Sequence, residues 1–488
     1  MSGNPCRRMI SIVRESLLSD NIHYHVIPGS NIINLQKTGQ RTVPCPRENA
    51  MNIHTLIKTP CPCGRDHTAS VKDVLSGPGV IAQLPSCAAR LNAKKPFLLS
   101  DVHTQKAAGQ TVRRILDEAG IAWSGYVIEK ETLPPDEWVV GSAVMHYDPS
   151  CDLIIGIGSG VINDTCKLLA SVSGNPYIIV ATAPSMDGYA SATSSMDRDE
   201  LKCSLPSRCA DIIIGDTDIL CQAPLHMLSS GIGDMIAKYV SITEWRISHV
   251  INGEYYCEQI AQLVRSSLAK CTANADGLMK RDPEAVQAVF EGLIITGIAM
   301  AYAGVSRPAS GSEHYFSHVW DMRALQFGTP SEMHGIQCAM AALPVVRLYE
   351  WLEHYTPDPE KARAFVSSFD YDEWKTVLRS FLGESAETMI ALEQREGKYD
   401  KTKHPARLHT ILEHWDELVR IMKEELPASH ELEALLEKLH IPTELSALDI
   451  DSEKARLTFL ATKDIRDKYV LARLAWDLGV TDELCALL

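Results

Sequence analysis

Residues 154–164 read IIGIGSGVIND: an apolar run, a glycine turn and the opening of a helix. Lacking a Cβ, Gly158 and Gly160 let the backbone approach a pyrophosphate, whose charge suits a helix N-terminus. The run is not G-x-G-x-x-G, since Val161, Ile162 and Asn163 follow Gly160, so a strand–turn–helix without a ligand stays open. Asp164, in the first helical turn, fits the helix dipole on either reading. Around this stretch short apolar runs alternate with helical ones. KPFLLSD (95–101), WSGYVIEK (123–130), CDLIIGIG (151–158), PYIIVAT (176–182) and ADIIIGD (210–216) read as strands. TQKAAGQTVRRILDEAG (104–120) and VINDTCKLLASVSG (161–174) read as helices. β-branched runs of this length separated by helices predict a mostly parallel sheet covered on both faces, with ligands at the carboxyl ends of its strands.

From about residue 223 onward the strand signal stops, and helical periodicity runs through LSSGIGDMIAKYVSITEWRISHVI (228–251), EAVQAVFEGLIITGIAMAYAG (284–304) and GIQCAMAALPVVRLYEWLEHY (335–355). The expected organisation is an extension over 1–50, expected to be flexible, a nucleotide-binding α/β domain over 51–222 and an all-α domain over 223–488. The chain has 488 residues and a formal net charge of -15, which excludes nucleic acid as an expected partner. Its 14 cysteines show no small-domain spacing and fit a reducing compartment, so a cytoplasmic location is expected. No apolar stretch reaches the ~20 residues of a membrane helix, and GLIITGIAMAYAGV (292–305) reads as a buried helix. CPCGRDH (61–67) groups Cys61, Cys63 and His67. With no fourth ligand in view it reads as a turn, a second metal site being the alternative.

Three short segments suggest a metal-centred site: GIGDMIAKY (231–239), SGSEHYFSH (310–318) and EMHG (332–335). Asp234 is read as following a Gly-Ile-Gly turn and opening a helix, where an ordinary helix-capping acid is the alternative. His314 and His318, four apart, share a helix face. One carboxylate and two imidazoles would hold a divalent ion with positions left open for a substrate oxygen. TAPSMDGYAS (182–191) adds hydroxyls and Asp187, which on its own reads as a local turn before Gly188.

Taken in order, GIGSGVINDTCK, ATAPSMDGYAS, GIGDMIAKY, SGSEHYFSH and MHG resemble the sn-glycerol-1-phosphate dehydrogenase family, especially its AraM-type bacterial branch. That family is related to iron-type alcohol dehydrogenases, glycerol dehydrogenase and dehydroquinate synthase. The resemblance covers roughly two thirds of the chain and is most specific at TAPSMDG and GDMIAKY. It implies a Rossmann-like α/β domain followed by an all-α domain, as in the iron-type alcohol dehydrogenase fold. It implies reversible, metal-dependent reduction of dihydroxyacetone phosphate to sn-glycerol 1-phosphate by NADH or NADPH, in lipid metabolism. Gly160, Val161, Ile162, Asn163 and Asp164 would line the cofactor pyrophosphate. Thr182, Ala183, Pro184, Ser185 and Ser191 would lie nearer the nicotinamide, and Asp101 at the adenosine ribose. Asp234, His314 and His334 would hold Zn²⁺, Ni²⁺ or Fe²⁺. Asp187 and His318 would bind substrate and act in catalysis, with Asp234 also near the substrate. VWDMRALQFGTPSEM (319–333) lengthens the spacing between His318 and His334 relative to the family. A homo-oligomer, by resemblance a dimer, is expected. A polyol dehydrogenase, a dehydroquinate synthase-like cyclase and a non-catalytic nucleotide-binding protein remain the alternatives.

Overall fold

The computed structural model describes residues 50–198 and 201–488. The expected extension over 1–50 lies outside the described residues, apart from Ala50. The strands are β1 (Ala50–Met51), β2 (Asp73–Gly77), β3 (Pro96–Asp101), β4 (Ser124–Ile128), β5 (Leu153–Gly158), β6 (Tyr177–Ala181), β7 (Thr193–Arg198), β8 (Leu201–Pro206) and β9 (Ile212–Asp216). Seven of them form one sheet in the order β1-β2-β9-β6-β5-β3-β4, and β7 pairs with β8 in a separate antiparallel hairpin. Every pairing in the large sheet is parallel except that of β1 with β2. The helices α1 (Leu84–Arg90), α2 (Gln110–Glu118), α3 (Glu137–His146) and α4 (Gly160–Ser173) connect successive parallel strands.

Strands β2, β3, β5, β6 and β9 are buried on both faces, and alternate residues serve two cores. Phe97, Leu99, Ile154, Tyr177, Ile179 and Ile213 join a core continuous with the helical region. Leu98, Ile155, Ile157, Ile178, Val180 and Ile214 pack with Leu84 of α1 and with Val112 and Leu116 of α2. From β3 the chain steps outward to β4, then returns to the other side of β3 as β5. Leu99 pairs with Gly156, so Asp101 and Gly158 end neighbouring strands at this reversal, where open α/β sheets bind ligands.

Among the described residues no strand follows Asp216. The helical region opens with α5 (Leu225–Ile236), α6 (Lys238–Asn252), α7 (Glu258–Ala273), α8 (Pro283–Ala303), α9 (Ser312–Phe327) and α10 (His334–Glu353). Two expectations need correction. The Gly231-Ile232-Gly233 segment is not a turn that opens a helix: it lies inside α5, with Asp234 near that helix's C-terminal end. Its glycines are there for close approach, as described below. Helix α8, at 21 residues, is apolar and long enough to cross a membrane by length and composition, and most of it is buried inside the protein. Its Gly297 packs against Ala190 and the Asp187 carbonyl, which makes it the floor under the Asp187 turn. The β7–β8 hairpin and α3 were not foreseen. Ser-, Thr- and Asp-rich β7 offers little β-branched apolar signal, because only alternate residues face inward.

Candidate active site

Two helices meet here with no side chain between them. A Cβ on Gly335 would stand 1.9 Å from the Ser230 carbonyl oxygen, and one on Gly233 would stand 2.4 Å from the Gly335 carbonyl oxygen. A Cβ on Gly231 would fall 1.7 Å from the Pro184 oxygen. Only glycine permits this contact of α5, α10 and the loop after β6. The crossing brings Asp234 on α5, His334 at the start of α10 and the Pro184–Asp187 loop into one buried place. The long segment after His318 does not disturb this: α9 runs on to Phe327, and the chain returns so that the His334 and His314 rings lie 4.9 Å apart.

Asp234 is fully buried. Its Oδ1 accepts from Lys238 Nζ at 2.7 Å and its Oδ2 from the Asp187 backbone N–H at 2.9 Å. Lys238 also donates to Asp187 Oδ2 at 2.9 Å and to the Ala309 carbonyl at 3.0 Å. Burial opposes the Lys238 charge, but the two carboxylates outweigh it and hold the ammonium above its ordinary range. Burial also opposes the Asp234 charge, yet Lys238 keeps that carboxyl below its usual value. Asp187 moves the other way, raised by burial and by the neighbouring Asp234 charge.

His314 Nε2 lies 3.7 Å from Asp234 Oδ1, while its Nδ1 lies 2.7 Å from Glu313 Oε1. The Ser317 hydroxyl donates to Gln337 Oε1 at 2.7 Å, so its contact with His334 Nδ1 at 3.1 Å has the imidazole N–H donating. Both imidazoles therefore have Nδ1 anchored, as metal-ligating histidines do, while Nε2 of His314 faces Asp234 Oδ1 and Nε2 of His334 lies 3.6 Å from Cys338 Sγ. Burial and the Lys238 charge push His314 well below the ordinary imidazole range, and burial and Arg466 do the same to His318. Neutral imidazoles are the ligating form. Ligand atoms of Asp187, Asp234 and His314 lie within 4.8 Å of one another, as do those of His314, His334 and Cys338. His314 belongs to both groups, while Asp234 and His334 share neither, and the donors of each trio are of kinds that bind a divalent ion. Lys238, Glu313, Ser317 and Cys338 were not singled out in the sequence. Lys238 lay in view in GDMIAKY, four residues after Asp234.

The glycine turn fits a cofactor phosphate for a steric reason. A Cβ on Gly160 would meet nothing nearer than Met186 Cγ at 4.0 Å, so the first residue of α4 faces open space. At Gly158 a Cβ would strike Ile162 at 2.6 Å, so that glycine serves strand–helix packing. The other expected cofactor residues each have partners within the protein. Val161 and Ile162 pack against the core. The Asn163 side chain points inward, accepting from Tyr177 and donating to the Gly188 carbonyl, and Asp164 pairs with buried Lys167. Asp101 caps the helical turn that follows it, its Oδ1 accepting from His103 and Thr104 N–H groups. Ser191 accepts from Lys167. Thr182 donates through its backbone to Gly158, and the Ala183 carbonyl accepts from Tyr189.

Ser185 joins the two halves. Its hydroxyl lies 2.5 Å from that of Ser159, the residue before α4, and its carbonyl accepts from Ser230 of α5 at 3.0 Å. Beyond His318 opens a cavity of about 350 Å³, lined in part by Arg198, Lys202, Arg466, Ser195 and Ser204.

The family model described as iron-containing alcohol dehydrogenase matches residues 75–224. A Halalkalibacterium halodurans protein named glycerol-1-phosphate dehydrogenase (NAD(P)+) is 31% identical over 298 residues, 60% of this chain and 75% of that one. A Methanosarcina mazei protein of the same name is 30% identical over 285 residues, 58% of this chain and 78% of that one. The crystal structure of a probable glycerol dehydrogenase from Sinorhizobium meliloti superposes with a TM-score of 0.55 at 15% identity, covering 87% of this chain and 98% of that one. That likeness shows the fold. With identity at this level over three quarters of a relative's length, the chain belongs to the glycerol-1-phosphate dehydrogenase family.

Proposed function

We propose that this protein catalyses the reversible reduction of dihydroxyacetone phosphate to sn-glycerol 1-phosphate with NADH or NADPH and one divalent ion. The observation that carries the reading is the Thr182–Ser191 segment. It leans on the open-faced start of α4 through Ser185 and Ser159, and on the carboxylate–imidazole cluster through Asp187 and Asp234. A dinucleotide on the first and a metal on the second would meet above this segment.

Asp234 with His314 and His334 would hold the ion, with Cys338 and Asp187 as the nearest further donors. When bound, the ion would polarise the C2 carbonyl oxygen, and the dihydronicotinamide would supply hydride to C2. The protein's own residues do the rest. The α4 N-terminus, with its free backbone N–H groups, holds the pyrophosphate. Asp101, at the end of the strand beside the glycine turn, is suited to a ribose hydroxyl. Lys238 fixes the Asp187 carboxylate, which orients a substrate hydroxyl. His318, neutral and facing the cavity, relays the proton required as the C2 oxygen becomes a hydroxyl. Arg198 and Arg466, with Lys202 already paired to Asp321, supply the positive charge that the substrate phosphate needs in an otherwise acidic chain. No disulfide joins the described cysteines, which suits work in the cytoplasm; a homodimer is part of the same reading.

The test is NAD(P)H oxidation by metal-loaded protein with dihydroxyacetone phosphate and with dihydroxyacetone. Phosphate contacts remote from C2 should raise kcat/KM for the phosphorylated ketone by at least about 100-fold, equivalent to ~2.7 kcal/mol of transition-state binding. Equal rates on the two ketones would instead indicate a polyol dehydrogenase.

A further inference from the structure

The CPCGRDH motif, read above as a turn for want of a fourth ligand, gains one in the fold. Cys257, the residue before α7, brings its sulfur to 3.6 Å from Cys61 Sγ and 3.8 Å from His67 Nε2. Cys63 Sγ lies 3.2 Å from the same nitrogen. All four donor atoms lie within 4.8 Å of one another. A tetrahedral zinc site with metal–sulfur bonds of ~2.3 Å and a metal–nitrogen bond of ~2.0 Å has edges of about 3.5–3.8 Å. The Cys61–Cys257 spacing of 3.6 Å lies within that range, the Cys257–His67 spacing of 3.8 Å at its upper end, and the Cys63–His67 spacing of 3.2 Å about 0.3 Å short of it.

The surroundings are those of a metal-binding turn. His67 Nδ1 lies 3.0 Å from the Tyr302 carbonyl, which holds the proton there and leaves Nε2 facing the sulfurs. Gly64 takes φ +78, and its N–H closes the turn on the Cys61 carbonyl at 3.0 Å. The Arg65 guanidinium lies 3.5 Å from the centre of the Tyr255 ring, whose hydroxyl is 3.4 Å from Cys63 Sγ. That cation offsets the net negative charge of three thiolates on one divalent ion.

We propose that Cys61, Cys63, His67 and Cys257 bind a structural Zn²⁺ ion that shares no ligand with the Asp234–His314–His334 site. Four protein donors leave no open position, which marks a structural and not a catalytic centre. Its work is mechanical. Between β1 and β2 the chain has only one short helical turn, Ile53–Thr55. The ion ties this irregular stretch to the α6–α7 connection, 190 residues away in the chain, inside a small core with Trp245, Ile260 and Ala299.

The experiment counts metal in the full-length protein, prepared with reductant and exchanged to Co²⁺. Wild type should hold two equivalents and show the intense near-ultraviolet absorption of thiolate-bound tetrahedral cobalt. His314→Ala should retain one equivalent with that absorption intact. Cys63→Ser, at a half-buried position, should retain the other equivalent and lose the absorption. Should Cys63→Ser fail to fold, zinc X-ray absorption of the His314→Ala protein decides: three sulfurs and one nitrogen per zinc are expected. The proposal is overturned if His314→Ala carries no metal, if its zinc has no sulfur ligands, or if peptide mapping finds Cys61 and Cys257 joined as a disulfide.

Discussion

Gly160→Ala separates folding from cofactor binding at a single methyl group. Nothing in the protein opposes it: the new Cβ would meet only Met186 Cγ, at 4.0 Å. Gly160 sits at the first position of α4, where alanine is a better helix former, by at most ~1 kcal/mol. Thermal stability should therefore hold or rise slightly. The same methyl would occupy the space from which a pyrophosphate oxygen accepts backbone N–H bonds. Pushing that oxygen back by ~1 Å breaks at least one charge-assisted hydrogen bond, worth about 1.5–3 kcal/mol. At 1.4 kcal/mol per decade the dissociation constant of NADH should rise about 10- to 100-fold. Calorimetric titration with NADH, beside a melting curve, measures both quantities on one sample. Unchanged NADH affinity in a protein of wild-type stability would refute the assignment of this space to a phosphate. A destabilised variant would refute the packing argument.

Gly335→Ala should do the opposite. Its Cβ falls about 1.5 Å short of the 3.4 Å at which ordinary contact with the Ser230 oxygen begins, and both partners are backbone. Forcing α5 and α10 apart should cost about 1–3 kcal/mol in stability and weaken metal binding at the adjacent His334, read by melting and by metal analysis. His314→Ala should stay folded while turnover becomes almost undetectable and the metal held at Asp234 is lost; full activity in that variant would remove His314 from the ligand set. Lys463 offers a pH test. Burial pushes it down to about 8 from 10.5, only partly opposed by Asp464. Below about pH 8 the folded protein bears the cost of a buried charge, and between about 8 and 10.5 the unfolded chain binds more protons, so this group makes stability rise with pH across that window. Lys463→Met should flatten the slope by up to about 3 kcal/mol, visible as a smaller gain in unfolding free energy from pH 7.5 to 10.

The legibility of this chain followed the range of its interactions. β5, its glycine turn and α4 were readable because six consecutive buried positions and a helix onset lie within one short stretch. The residues proposed to hold the metal could be picked out as types in order, and the i,i+4 histidines of α9 as a shared face. What could not be read was pairing across the chain. The glycines of GIGD look like a turn locally, yet they are spacers for α10, about a hundred residues on. Lys238 shows its role only once Asp187 is folded against it. Cys61 and Cys63 gained a partner in Cys257, which no local spacing could point to. The β7–β8 hairpin hid because half its residues face outward and are polar.

The central claim is the reaction, and the product's handedness tests it most directly. Dihydroxyacetone phosphate should be reduced by the metal-loaded protein with NADH or NADPH and the glycerol phosphate resolved by enantiomer. On the proposed reading the α4 cradle and the Asp234, His314 and His334 ligands would fix hydride face and carbonyl orientation together, so a single enantiomer, sn-glycerol 1-phosphate, is expected. Formation of sn-glycerol 3-phosphate, or of a racemate, would contradict it.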